Sequence, residues 1–292
     1  MLFSKTASEI RRGLWAIDPI TGLYNLKLAN DILSGNVKSK EQKIQSAIRE
    51  VVNEDGIPLA NNGQEQIPAG SIGIVSITGN MIKYGNYYCW GADELVSFAR
   101  SFDNNPNITG QIWKIDSGGG SVGAVAPYLD FLKNKKKPVV ALCDFCASAA
   151  KWVASGTDYI MAENDISSAF GSIGVMASFM SYIKYFEDLG IKEHTVYADQ
   201  SSDKNRDFEE ALQSNYKLLR ELTLNPLAKK FQDTIKKNRA GKLNESIEGI
   251  LTGRMFYSEP AIEYGLADSI GNLDAAIEKV KELASVQSFM NS

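Results

Sequence analysis

Two short apolar runs, Gln111-Ile-Trp-Lys-Ile115 and Pro138-Val-Val-Ala-Leu142, constrain this chain more than any other feature. Runs of this length bounded by turn residues read as buried strands. Each leads into residues with almost no side chain: Asp116-Ser-Gly-Gly-Gly-Ser121 after the first, Cys146-Ala-Ser-Ala-Ala150 after the second. Strand patterns also occupy residues 71–78, closed by Gly79, and 159–162. Helical patterns occupy 93–102, 122–132 and 149–153. This strand–helix alternation specifies an α/β fold with a mostly parallel sheet. Loops of bare backbone at the strand ends let another chain come close and leave N–H groups free to face an oxyanion.

Residues 1–66 are polar and helical in pattern, with Leu26, Leu28, Ile32 and Leu33 marking one helix and Ile44, Ile48, Val51 and Val52 another. Residues 55–70, rich in Gly, Pro, Asn and Gln, read as a linker. The expected organisation is therefore a helical N-terminal extension over 1–66 and an α/β domain over 67–292. Within the latter, Gly171-Ser-Ile-Gly-Val175 is a second tight-backbone segment, followed by a helix to about residue 189 that Gly190 closes. Residues 195–197 read as a strand, 201–207 as a polar loop, and 208–239 as two helices broken at Pro226. A last amphipathic helix covers 273–283.

A chain of 292 residues can bury a full core. Its net charge of −4 offers no basic footprint for nucleic acid. No apolar run reaches the ~20 residues that a bilayer span needs, and the longest candidate, 139–153, carries Asp144 and Lys151. Glu9, Arg11 and Arg12 stand where a secretory signal needs an apolar core, so a cytoplasmic location is expected. Cys143 and Cys146 form a lone CxxC; with no second pair and one distant histidine it lacks a zinc ligand set, and with no Pro or Gly between the cysteines it does not look like a redox motif. Neither metal nor cofactor is expected.

Ser148 is the candidate nucleophile, and a serine hydroxyl needs a base. The only histidine, His194, lies in a strand-like segment and reads as structural or surface. Lys151 gives Ser-Ala-Ala-Lys, which imitates SxxK without the SDN and KTG partners of that motif. Lys204 lies in the polar loop, where a lysine is ordinarily just solvated. A lysine base near neutrality must fall about three units from ~10.4, which is ~4 kcal/mol of disfavoured charge. Burial by substrate or at a subunit contact can supply that, and Ser201 or Ser202 could orient the amine. The Gly119 and Gly120 amides are the candidate oxyanion donors. The plainer reading of the strip is a close helix–strand contact or a phosphate cradle, although GxxxxGK[ST] is absent.

At these residues the chain resembles the signal peptide peptidase A family of Ser–Lys peptidases. Ile115-Asp-Ser-Gly-Gly-Gly-Ser-Val122 resembles that family's NSPGG strip, with Asp116 for Asn and Gly118 for Pro. Cys146-Ala-Ser-Ala-Ala-Lys-Trp-Val153 resembles its ASGGYY segment, and Gly171-Ser-Ile-Gly-Val175 its GSIGV. The segment from Gly253-Arg to Gly265-Leu-Ala-Asp268 resembles its GR…GLVD. The resemblance implies a ClpP/crotonase-type fold of stacked βαβ units. It implies Ser148 as nucleophile, with Gly119, Gly120 and Ala149 as main-chain contacts to the oxyanion or substrate. The base, a lysine in the loop corresponding to 198–207, would be Lys204, the only lysine there. A gapless count from Gly171 lands nearer Ser202, which signals a small insertion or a lost base. The opening Gly13-Leu-Trp-Ala-Ile-Asp-Pro19 is similar to the capsid-maturation peptidases of tailed phages and prophages, which share this core. A homo-oligomer cutting extended protein or peptide substrates is the implied activity, in capsid or scaffold maturation or in signal-peptide-type degradation. A crotonase-like acyl-CoA enzyme and a catalytically inactive scaffolding homologue are the alternatives.

Overall fold

The computed structural model describes residues 14–17, 48–59, 66–85, 90–179, 181, 183–192 and 194–291. Its centre is an α/β sheet whose main path contains β2 (Arg49–Val52), β3 (Ser71–Thr78), β4 (Ile108–Ser117), β6 (Val139–Ala147), β8 (Ala169–Gly171) and β10 (Met255–Tyr257), side by side in that order. Strands β3, β4, β6 and β8 are mutually parallel; β2 and β10 close the two ends antiparallel. β7 (Tyr159–Ala162) pairs with the first half of β6 and carries β11 (Ser269–Ile270) on its far side. A second, three-stranded sheet holds β5 (Gly119–Ser121), β1 (Leu14–Ile17) and β9 (Met176–Ala177), with β1 in the middle.

The parallel strands are apolar on both faces because helices cover both. On one face α1 (Ala92–Asn104) presents Leu95, Val96, Ala99 and Phe102 at helical spacing, and α2 (Val122–Asn134) presents Val125, Tyr128 and Phe131; Trp113 of β4 packs against the latter two rings. On the other face Ala276, Ile277 and Val280 of α8 (Leu273–Asn291) cover Ile72, Ile74, Ile112, Val140 and Leu142. That helix is eight residues longer than the pattern over 273–283 predicts.

The expected α/β class is realised, and so is the strand–helix order from β3 to β7 apart from the added β5. Four local expectations are corrected. Residues 49–52 are strand, not helix: Val51 packs into one face cluster and Val52 into the other, an alternation with period two that a β-branched pair favours. Residues 14–17 are also strand, and most of the remaining expected N-terminal helical extension lies outside the described residues. Residues 195–197 form no strand. The break in the 208–239 helical region falls at residues 213–216, between α5 (Arg206–Leu212) and a π-helical turn (Leu219–Leu224) that runs directly into α6 (Asn225–Asn238). Pro226 occupies the first turn of α6, where a missing N–H is tolerated.

Candidate active site

The strand–helix switch at Ser148 is a single residue. β6 ends at Ala147, and α3 (Ala149–Ala154) begins at the next position. Ser148 accommodates the turn at φ 54°, ψ −118°, a region that costs a non-glycine residue roughly 1–3 kcal/mol and that clusters at functional sites. The surroundings enforce it. The Ser148 N–H donates to Gly171 O at 2.9 Å, Trp152 N–H donates to Ser148 O at 2.9 Å, and the Trp152 ring stacks on Phe231 at 4.3 Å, which ties α3 to α6. Ser148 is 1% exposed, and its Oγ donates to Gly174 O at 3.4 Å, a long bond that leaves the hydroxyl loosely held. Gly171 permits this junction: its φ is 142°, and a Cβ there would lie 2.2 Å from Arg254 O.

The glycine strip is a strand rather than the expected loop. Met81 N–H donates to Gly119 O at 2.9 Å and Ser121 N–H donates to Met81 O at 2.8 Å. Successive peptide groups in a strand face opposite sides, so the Gly120 N–H and C=O face away from Met81, toward β1, where Ala16 is the register partner. A Cβ on Gly120 would meet Met81 O at 2.0 Å, which explains the glycine. The Gly119 N–H donates to Ser117 Oγ at 3.1 Å, and Ser117 Oγ donates to Gly79 O at 2.5 Å. Of the two glycine amides, then, that of Gly119 is taken up by Ser117 and that of Gly120 faces β1. The Ala149 N–H, buried beside Ser148, meets no carbonyl among the described residues. Ser121 Oγ accepts from Gly123 N at 3.2 Å and so caps α2, joining the strip to the helix behind it.

The candidate bases are placed very differently. Lys151 is fully buried, and its Nζ donates to Leu266 O at 2.5 Å rather than to Ser148. Burial lowers its pKa to about 8; the nearby Arg239 pushes the same way, and the Asp268 carboxylate opposes it. Lys204 lies in an exposed turn following the 3-10 turn Asp199–Ser201, and no side-chain hydrogen bond ties it to a described residue. Ser202 is exposed beside it. His194 is exposed, on the wall of a groove of ≈ 720 Å³ with Ile183, Phe186, Ile191 and Leu212. The free thiols of Cys143 and Cys146 are buried, and burial pushes the Cys143 thiol well up, away from the reactive thiolate. At the ends of β4 and β6, burial and then repulsion from Asp144 raise the Asp116 carboxyl.

Behind the site, Arg239 and Asp268 form a buried ion pair at 2.9 Å. Arg239 also donates to Gly265 O and Ala267 O, and Asp268 accepts from Ile160 N–H and Lys242. Burial alone raises the Asp268 carboxyl; the bonds from Arg239 and Lys242 outweigh it and hold the carboxyl below its usual range. The Gly265-Leu-Ala-Asp268 motif is thus a structural anchor that also supplies the carbonyl to Lys151. Sequence reasoning overlooked two contributors, Ser117 and Gly174. Both lie inside motifs already singled out, but their roles rest on contacts between separate segments.

Among the described residues no helix is long and apolar enough to cross a membrane. Peptidase family S49 matches residues 131–287, which contain Ser148, Lys151, Lys204 and the Asp268 anchor. The chain is 28% identical over 207 residues to a protein named "Putative protease" from Methanocaldococcus jannaschii, covering 70% of this chain and 63% of that protein. It is 20% identical over 282 residues to a "Putative signal peptide peptidase SppA" from Enterococcus faecium, covering 91% and 79%. It is 27% identical over 190 residues to a head-tail preconnector protein from Enterobacteria phage P21, covering 64% and 37%. The chain therefore spans less than two thirds of the archaeal and phage proteins. The matched region takes in more than half of the chain and runs from α2 through Ser148 into α8: this chain belongs to peptidase family S49.

Proposed function

We propose that this chain is a serine endopeptidase acting on extended protein segments. Ser148 Oγ attacks the scissile carbonyl carbon, and an amine takes its proton. Main-chain N–H groups at Gly120 and Ala149 receive the oxyanion, and the same amine returns the proton to the leaving nitrogen. Water then hydrolyses the acyl-serine. The observation that carries this reading is the φ of 54° at Ser148, held at the strand–helix switch by bonds on both sides.

Lys204 is the proposed base. Its exposure in a single copy means that a neighbouring subunit or the substrate must desolvate it. Exposed apolar side chains on the stretches of chain that flank it in sequence support a homo-oligomer: Phe186 is 46% exposed, Leu189 59%, Ile191 54%, Val196 91% and Leu222 66%. The depressed pKa of Lys151, three residues from Ser148, favours a second reading in which that amine is the base after leaving Leu266 O. The similarity to a head-tail preconnector protein supports a role in phage head assembly, with capsid or scaffold segments as substrates.

The deciding experiment is cleavage of unfolded protein substrates by the native chain and by Ser148→Ala, Lys204→Ala and Lys151→Met. Loss of at least a thousandfold in Ser148→Ala and Lys204→Ala, with Lys151→Met active, supports the leading assignment. Loss in Lys151→Met with Lys204→Ala active transfers the base to Lys151. Cleavage that survives Ser148→Ala removes the serine mechanism.

A further inference from the structure

The strand β1 is explained by neither the central sheet nor the catalytic constellation. It sits between β5 and β9 and pairs antiparallel with both: Trp15 opposite Ser121, Ala16 opposite Gly120 and Ile17 opposite Gly119 on one side, Leu14 opposite Ala177 and Trp15 opposite Met176 on the other. Among the described residues, β5 and β9 are joined only through it.

Both neighbours lead to the nucleophile. Gly119 lies two residues past Ser117, which pairs with Cys146, two residues before Ser148. Continuing the other register by two residues past Trp15 and Met176 sets Ile17 level with Gly174, whose carbonyl accepts the Ser148 hydroxyl. The chain direction of β1 therefore runs toward Ser148. Its C-terminal end reaches the level of the site, with Leu14-Trp-Ala16 on the side that an acyl half of a substrate would take and the Ala16 carbonyl opposite the Gly120 N–H. The main-chain groups of Gly120, turned away from Met81, face Ala16. Adding a strand to two exposed edges is a standard way of binding an extended peptide, and the gap between edges flanking one strand is twice the ~4.8 Å interstrand spacing.

We propose that β5 and β9 form a cleft for an extended apolar peptide, and that residues 14–17 of this chain are its resident occupant, a substrate-like strap that external substrate must displace. The proposal rests on the serine-peptidase reading for its effect on activity, but not for the occupancy itself.

Hydrogen exchange on full-length Ser148→Ala, which excludes self-cleavage, tests the occupancy. The amides of Ala16 and Gly120 should open together; fast exchange at Ala16 with slow exchange at Gly120 overturns the proposal. Ala16→Pro removes the N–H that faces the Gly120 carbonyl. In this variant Gly120 and Met176 should lose at least tenfold in protection, and a synthetic peptide of residues 13–19 should restore it. Unchanged protection in a folded Ala16→Pro protein overturns the strap. On the Ser148 background, Ala16→Pro should react about tenfold faster with a fluorophosphonate, because the competent fraction rises; equal rates overturn the blocking role. A failure of both proteins to react at all counts against the nucleophile, while the exchange data still decide whether the cleft is filled.

Discussion

At the scale of single residues, two charges buried close together have opposite consequences. Lys151 has a native pKa of about 8 against 10.5 when free. Between those values the unfolded chain holds a proton that the native chain has released, so stability rises with pH across that window and the increment is absent below it. At pH 7 the buried ammonium costs about 3 kcal/mol, from the shift at ~1.36 kcal/mol per unit. Lys151→Met should therefore stabilise the fold at pH 7, seen as a higher melting temperature, by less than the full ~3 kcal/mol because Leu266 O loses its donor. The advantage over the native chain should shrink between pH 8 and 10; thermal melts across that range check it. Asp268 has the reverse sign. Its lowered pKa contributes stability above the unfolded carboxylate value of ~3.9, and that contribution is lost as pH falls through the native pKa. Asp268→Asn strands the Arg239 guanidinium and should cost ~3–5 kcal/mol in chemical denaturation. These roles were not visible in the linear chain. Lys151 reads there as a weak SxxK match, and only its burial against Leu266 turns it into an internal amine.

Element by element, legibility followed burial. β3 and β7 were readable to the residue, because strands buried on both faces leave a dense apolar stretch between turn signals. Ser148 and Gly171 were readable as candidates because small-residue clusters at strand ends are conspicuous. β2 was misread because Ile48, Val51 and Val52 satisfy a helical period as well as a strand's; the partner that decides, β3, lies about twenty residues away. The strip was misread as a loop because glycines carry no periodicity, and its strand character comes from Met81 and β1. That pairing makes Gly120 unforgiving: with a Cβ 2.0 Å from Met81 O, Gly120→Ala must move β5. A shift of about 1 Å at a catalytic backbone can cost ~10²-fold. Gly120→Ala should therefore lower kcat/KM by at least tenfold while the far-UV circular dichroism stays native-like.

At the scale of the whole molecule, the proposed mechanism couples assembly to the chemistry. The segment from α4 (Ile183–Asp188) to α5 carries the proposed base and exposes Tyr185, Phe186, Leu189, Ile191 and Val196. One copy leaves that apolar surface in water, where association can bury it and bring Lys204 into a drier setting. Phe186→Asp should shift the mass measured by light scattering from oligomer toward monomer and reduce peptide cleavage with it; a dissociated variant with full activity would separate the two. The proposed chemistry stands on Ser148 as a reactive hydroxyl at a strained strand–helix switch. The most direct measurement is intact-mass and peptide-level spectrometry after treatment with a fluorophosphonate. One adduct per chain, located on Ser148 and absent from Ser148→Ala, is the predicted result; a folded native chain that stays unmodified, or that carries the adduct on another residue, contradicts it.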